Sequence, residues 1–187
     1  MSRLGVLIGH SLSAQGAKAY NGESEYQFNY KVAKHMIDYS EIFNQIGPKV
    51  LPVVACTKDG GFDDAAKFFK ERDVNTVVEL HFNSFTKTAY GCEVLCLPES
   101  VDLADNLSDA IEAEYGIKQR GLNGVVILDA QDRGYTNLVK LREAGFPRSV
   151  LIEPCFANMP TDEAMAIIGD PKRYAEFLFH FFCDIDS

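Results

Sequence analysis

The chain has 187 residues, 47% of them apolar and 24% charged, a balance that fits one globular domain and excludes disordered, collagen-like and coiled-coil classes. Twenty-seven acidic against eighteen basic side chains give a formal net charge of -9, which repels a phosphate backbone; with no local basic patch, nucleic acid is not expected as a partner. The longest apolar runs reach about seven residues, whereas a membrane-spanning helix needs ~20, and the N-terminus lacks the longer apolar stretch of a secretory signal. The chain is therefore expected to be made in the cytosol and not to enter a membrane.

In chain order, residues 4–9 form a short apolar run that stops at a polar, glycine-bearing loop, 11–24. A helix is expected over 25–44, where Phe28, Val32, Met36, Tyr39 and Phe43 recur at steps of three and four, with Gly47-Pro48 ending it. Residues 50–56 read as a second strand, followed after Gly60-Gly61 by a helix over 63–72. Strands follow at 76–82 and 91–97, and Pro98 opens a helix striped by Leu103, Leu107 and Ile111. A strand at 124–128, a helix at 136–144, a strand at 149–152 and closing helices at 161–168 and 170–182 complete the series. Asp170-Pro171 gives the last helix an N-cap and a first-turn proline. Such alternation predicts a single α/β domain spanning 1–187: a twisted, mostly parallel sheet of about six strands flanked by helices.

The five cysteines form no Cys-x-x-Cys pair. Cys92 and Cys96, four apart on one strand, share a face and read as small buried hydrophobes.

Three strand runs end in an ionisable residue: the first at His10, the run 77–80 at His81 and the run 150–152 at Glu153. In open parallel sheets the functional crevice lies beyond the carboxyl ends of the strands. If these strands are parallel neighbours, two imidazoles and a carboxylate converge there. A histidine in such a place also serves as an ordinary hydrogen-bonded residue, and Glu153 could pair with a base such as Arg148. A metal would need a third ligand, and the loop after His10 leads to Glu23 and Glu25. Two histidines and one carboxylate with an open position make a catalytic zinc site, which acidifies bound water to a pKa of ~7. A further carboxylate then carries the proton from water to a leaving nitrogen, and Glu153 is the natural candidate.

These residues sit in strings that resemble a known family. Ile8-Gly9-His10, Gly16-Ala17, Glu25-x-x-x-Asn29, Leu80-His81-Phe82-Asn83, Gly91-Cys92-Glu93-Val94 and Val150 to Asn158 follow one another in the order of the zinc-dependent N-acetylmuramoyl-L-alanine amidases of the Amidase_3 type. That group includes bacterial cell-wall hydrolases and phage endolysins. The resemblance implies one zinc ion held by His10, Glu25 and His81, with Glu153 as the catalytic carboxylate. It implies peptidoglycan as substrate, cut between N-acetylmuramic acid and L-alanine. With no signal peptide or wall-binding repeat recognisable in the sequence, the expectation is a protein that reaches the wall through holin-made lesions or as part of a longer secreted chain. The chain departs from the family pattern at Ser11-Leu12, at Thr57-Lys58 and at Glu79, where a small residue is usual. Glu79 shares the strand face of His81 and is read as an orienting acceptor for it or as a tolerated edge residue. Asn83 and Asn158 are read as substrate contacts or, more in keeping with asparagine chemistry, as loop braces. The rival readings are another zinc amide hydrolase, a carboxypeptidase or deacylase, and an inactive wall-binding protein of the same fold.

Overall fold

A computed structural model describes residues 3–43, 53–56, 61–85 and 88–185. Its elements are β1 (Leu4–Ile8), α1 (Glu25–Phe43), β2 (Val53–Cys56), α2 (Gly61–Lys70), β3 (Thr76–Leu80), β4 (Glu93–Cys96), α3 (Val101–Tyr115), β5 (Val125–Ile127), α4 (Tyr135–Glu143), β6 (Arg148–Glu153), α5 (Asp162–Ile168) and α6 (Pro171–Asp184). The six strands form one sheet in the order β2-β1-β3-β6-β4-β5. The first four strands of that order run parallel to one another, β4 lies antiparallel to β6, and β5 lies parallel to β4. The expected mostly parallel α/β sheet is thus observed, with its direction reversed at the β6–β4 seam.

Every residue of β1 and β3 is buried, as suits central strands covered on both faces. Leu4, Val6, Ile8, Val78, Leu80, Val150 and Ile152 belong to a large core shared with α1, α3, α5 and α6. Leu7 and Val77 face a smaller core shared with α2 and α4. The period-two alternation also places Glu79 on the α2/α4 side, at the end of β3. On the other side α6 packs along α1: the Phe28 ring stacks on Tyr174 at 6.2 Å, and Tyr39 and Phe43 close on Phe179 at 6.2 and 5.8 Å. Each fully buried aromatic of this kind contributes about 1.5–3 kcal/mol. The aromatic-rich run of residues 177–182, Phe-Leu-Phe-His-Phe-Phe, follows from this, since α6 is covered on more than one side.

Several boundaries move. Pro98–Ser100 forms a single 3-10 turn and α3 proper starts at Val101, the proline taking the first position of the turn, where its missing N–H costs nothing. Strand β6 runs on to include Glu153. The end of α1 at Gly47-Pro48, the start of the second strand at 50–52, Thr57-Lys58 and Gly60 lie outside the described residues. Thr161 and Asp170 cap α5 and α6, their side chains accepting from the N–H groups of Ala164 and Arg173. Cys92, Cys96 and Cys155 are buried free thiols, and burial pushes all three upward in pKa. Among the described residues no helix is long and apolar enough to cross a membrane.

Candidate active site

Strand register brings the ionisable strand ends together. Ile8 pairs with Leu80, and Leu80 with Ile152; one step on, the Gly9 N–H donates to Leu80 O at 3.2 Å and the His81 N–H to Ile152 O at 3.0 Å. His10, His81 and Glu153 therefore leave three neighbouring strands at one rim. The fourth member arrives on α1. The loop 11–24 folds back so that the Glu25 N–H donates to Ala17 O and that of Tyr26 to Gln15 O. Ser24 and Gln27 form a reciprocal capping box: the Gln27 N–H donates to Ser24 Oγ at 3.2 Å and the Ser24 N–H to Gln27 Oε1 at 3.0 Å. This fixes the first helical turn, which carries Glu25, and the buried Asn29 one turn later donates from Nδ2 to Leu80 O at 3.0 Å, tying α1 to β3.

Glu25 is only 4% exposed and lies between the two imidazoles. His10 Nε2 is 3.1 Å from its Oε2, and His81 Nδ1 is 2.8 Å from its Oε1. Backbone N–H groups of Ala17 and Phe82 complete the cradle at 3.2 Å each. Burial alone would raise the Glu25 carboxyl, but hydrogen bonds from His10 and His81, with their charge, outweigh it and hold the group at about 2. Burial likewise pulls His81 down, and the hydrogen bonds to Glu25 and Glu79 overcome it to lift the imidazole to about 10.

Among the described residues, His10, Glu25 and His81 are the one group whose ligating atoms all come within 4.8 Å of one another. Two nitrogens and one carboxylate oxygen suit zinc. Charge points the same way. Glu79 is fully buried and its Oε2 has no hydrogen-bond partner; with Glu25 and Glu153 it crowds three carboxyl groups around two imidazoles, an excess that a divalent cation offsets. The donor set and the charge both fit a metal.

Glu153 lines the same groove of about 390 Å³, together with His10, Glu25, His81, Arg133 and Asn137. Burial chiefly, opposed by His81 and reinforced by the like charges of Glu93 and Glu25, raises its carboxyl to about 7. Glu93 is its cross-strand partner and is itself occupied, accepting from Asn83 Nδ2 at 2.6 Å and pairing with Arg120 at 3.1 Å. A carboxyl group that titrates near neutrality beside a candidate metal site can both accept and return a proton.

The other predicted residues separate. Glu23 pairs with Lys31 at 2.6 Å and stands outside the ligand group. Asn83 lines the groove but is committed to Glu93 and to the N–H of Ser84. Asn158 braces the loop, its side chain bonding the N–H and C=O of Phe85. Glu79 accepts at Oε1 from His81 Nε2 at 3.0 Å. Arg148 opens β6 at the end opposite Glu153. His35 and His180 lie near Asp38 and Glu176, away from the rim. Sequence reasoning missed Asn137, which donates to Glu79 Oε1 at 2.8 Å, and Arg133. Neither carries a local signal, since their position depends on how α4 packs. The Ser24–Gln27 capping box was readable from its spacing.

A family profile described as N-acetylmuramoyl-L-alanine amidase, Amidase_3, matches residues 5–173. No curated protein sequence matches significantly. Among solved structures, the N-acetylmuramoyl-L-alanine amidase from Clostridium difficile 630 aligns with a TM-score of 0.73 at 20% identity over 100% of this chain and 97% of its own. The catalytic domain of CwlV from Bacillus (Paenibacillus) polymyxa var. colistinus gives 0.73 at 20% identity over 99% and 98%, and AmiC2 of Nostoc punctiforme gives 0.72 at 20% over 98% and 96%. At such identities these likenesses establish the fold, while the profile, which spans most of the chain, establishes the family. The chain belongs to the Amidase_3 family of N-acetylmuramoyl-L-alanine amidases and is a peptidoglycan amidase.

Proposed function

We propose that His10, Glu25 and His81 hold one zinc ion and that Glu153 moves the protons in hydrolysis of the amide between N-acetylmuramic acid and L-alanine. The observation that carries this reading is the convergence of a His–Glu–His donor set and a near-neutral carboxyl group in one groove. When bound, zinc supplies Lewis acidity, polarising the scissile carbonyl and lowering the pKa of a water toward ~7. The chain's own residues do the rest. His10 and His81 present Nε2 and Nδ1, and Glu25, held ionised by its backbone donors, contributes the negative ligand. Glu153 accepts the proton of the attacking water and gives it to the nitrogen that leaves as the amino terminus of L-alanine. The raised pKa of Glu153 suits both halves of that transfer.

The substrate on this reading is a muramyl peptide of the bacterial cell wall, bound in the groove itself, because a net charge of -9 gives no attraction to anionic wall polymers. The test combines digestion of purified peptidoglycan, mass spectrometry of the fragments and metal analysis of protein purified without chelator. Free L-alanine amino termini and about one zinc per chain are expected, the stoichiometry of a single site. Trimmed peptide C-termini or released acyl groups would overturn the bond assignment, and full activity of Glu153→Gln would overturn the role of Glu153.

A further inference from the structure

The buried carboxyl group of Glu79 has no part in the ligand set, yet its surroundings are specific. It lies at the end of β3 with no solvent exposure, and its Oε1 faces two donors, His81 Nε2 at 3.0 Å and Asn137 Nδ2 at 2.8 Å. Glu79 is the next-to-last residue of β3, on the side of the sheet that faces α4, and His81 follows directly after the strand. Asn137 is the third residue of α4, so its amide is carried by a regular helical turn. A chain of contacts therefore runs from α4 through Asn137 and Glu79 to His81, and ends at His81 Nδ1 against Glu25.

We propose that Glu79, held in place by Asn137, is a positioning residue that fixes the orientation and tautomer of His81 so that Nδ1 faces the metal. The inference rests on the metal-site reading above. A neutral imidazole has one N–H and one lone pair. In the structure both ring nitrogens face carboxylates, Nδ1 that of Glu25 at 2.8 Å and Nε2 that of Glu79 at 3.0 Å; once a cation takes the place between His81 and Glu25, an Nε2–H held by Glu79 leaves the lone pair on Nδ1, the nitrogen that points at the meeting place of the ligands. An ionised carboxylate behind a ligating histidine also makes the imidazole a stronger donor, and such partners typically govern metal affinity by about 10- to 100-fold.

The test is zinc affinity by chelator competition, with Co²⁺ absorption and imidazole ¹⁵N NMR of the metal-loaded protein, for wild type, Glu79→Gln, Glu79→Ala and Asn137→Ala. Glu79→Ala is expected to weaken zinc by about 10- to 100-fold, to shift the Co²⁺ spectrum and to abolish the protected Nε2–H signal of His81. Glu79→Gln, which keeps an acceptor oxygen but no charge, should weaken zinc less and retain that signal, and Asn137→Ala should fall between wild type and Glu79→Ala. Should Glu79→Ala fail to fold, Glu79→Gln and Asn137→Ala decide the matter. Wild-type affinity in these variants, or His81 bound through Nε2, overturns the proposal. His10→Ala separates the two readings. Zinc bound by wild type and lost in His10→Ala, with the Glu79 variants unaffected, sinks only the role of Glu79, whereas a wild-type protein that binds no zinc sinks both.

Discussion

Gly9 and His81 are in such close contact that a methyl group on Gly9 would overlap the imidazole ring, with Nε2 its nearest atom. The glycine before His10 therefore clears the space in which the second histidine stands. Gly16 plays the same part opposite, where a Cβ would come within 2.6 Å of Glu25 Oε2 and of the His10 ring, at a φ of +76 that itself favours glycine. Gly9→Ala is expected to displace His81, to cost about 1–3 kcal/mol as overpacking does, and to leave the protein folded with well under one zinc per chain. Thermal unfolding and metal analysis on the same preparation check this.

Glu153→Gln keeps the size of the side chain and removes its proton chemistry. Hydrolysis of muramyl peptides should fall about 100- to 10,000-fold, the usual share of a general acid–base group, with zinc content unchanged because Glu153 lies outside the ligand set. Steady-state kinetics beside metal analysis measures both, and a parallel loss of zinc would show that the side chain acts on the site rather than on the proton.

The same substitution predicts a pH dependence of stability in chelator-treated protein. Burial holds Glu153 at about 7 in the folded chain against an ordinary value of 4.5, so between those values the folded state binds the extra proton. That contribution is fully present below pH 4.5 and is lost as pH rises through 7. Glu153→Gln should match wild type at the acid end of the window and exceed it above the other end, by at most about 3 kcal/mol. Urea denaturation at a series of pH values reads the difference, and a constant gap across the window would contradict it.

Glu23 and Glu25 should behave oppositely although only Ser24 separates them. Glu25→Ala removes a proposed ligand and takes the carboxylate partner from His10 Nε2, His81 Nδ1 and two backbone N–H groups, so zinc should be lost and stability should drop by about 3–5 kcal/mol, as when one partner of a buried ion pair is removed. Glu23→Ala breaks a pair with Lys31, whose side chain is 54% exposed, and should cost less than about 1 kcal/mol with zinc retained. Calorimetry and metal analysis of the two variants compare them directly.

Asn29→Ala removes the buried donor to Leu80 O that ties α1 to β3. Leu80 O keeps the Gly9 N–H as a donor, so the loss expected is that of one buried hydrogen bond, about 0.5–1.5 kcal/mol, together with weaker zinc binding, because Glu25 lies one helical turn before Asn29. Chemical denaturation and chelator competition measure the two effects.

Much of this arrangement was legible before any fold was known. The apolar runs that end in His10, His81 and Glu153 marked three of the strands and the ionisable groups at their ends, since side-chain alternation is a local property of extended chain. The spacing of Phe28, Val32 and Met36 gave α1, because one helical face must be apolar to reach the core, and Asp170-Pro171 gave the start of α6 through capping chemistry that needs only neighbouring residues.

Other features depended on partners far along the chain. The adjacency of β1, β3 and β6, the register that levels their ends, and the reversal of β4 are decided by pairing between distant segments. The family resemblance already pointed to Glu25 rather than Glu23; the fold of loop 11–24 supplies the physical reason, turning one carboxylate inward and leaving the other to Lys31. Asn137 reached Glu79 only because α4 packs over the end of β3. The amino-acid order by itself thus determined which groups could do the chemistry and which local element each rides on; tertiary structure alone decided which of them meet, because convergence is set by strand order, register and helix packing, none of which is encoded within a single stretch of sequence.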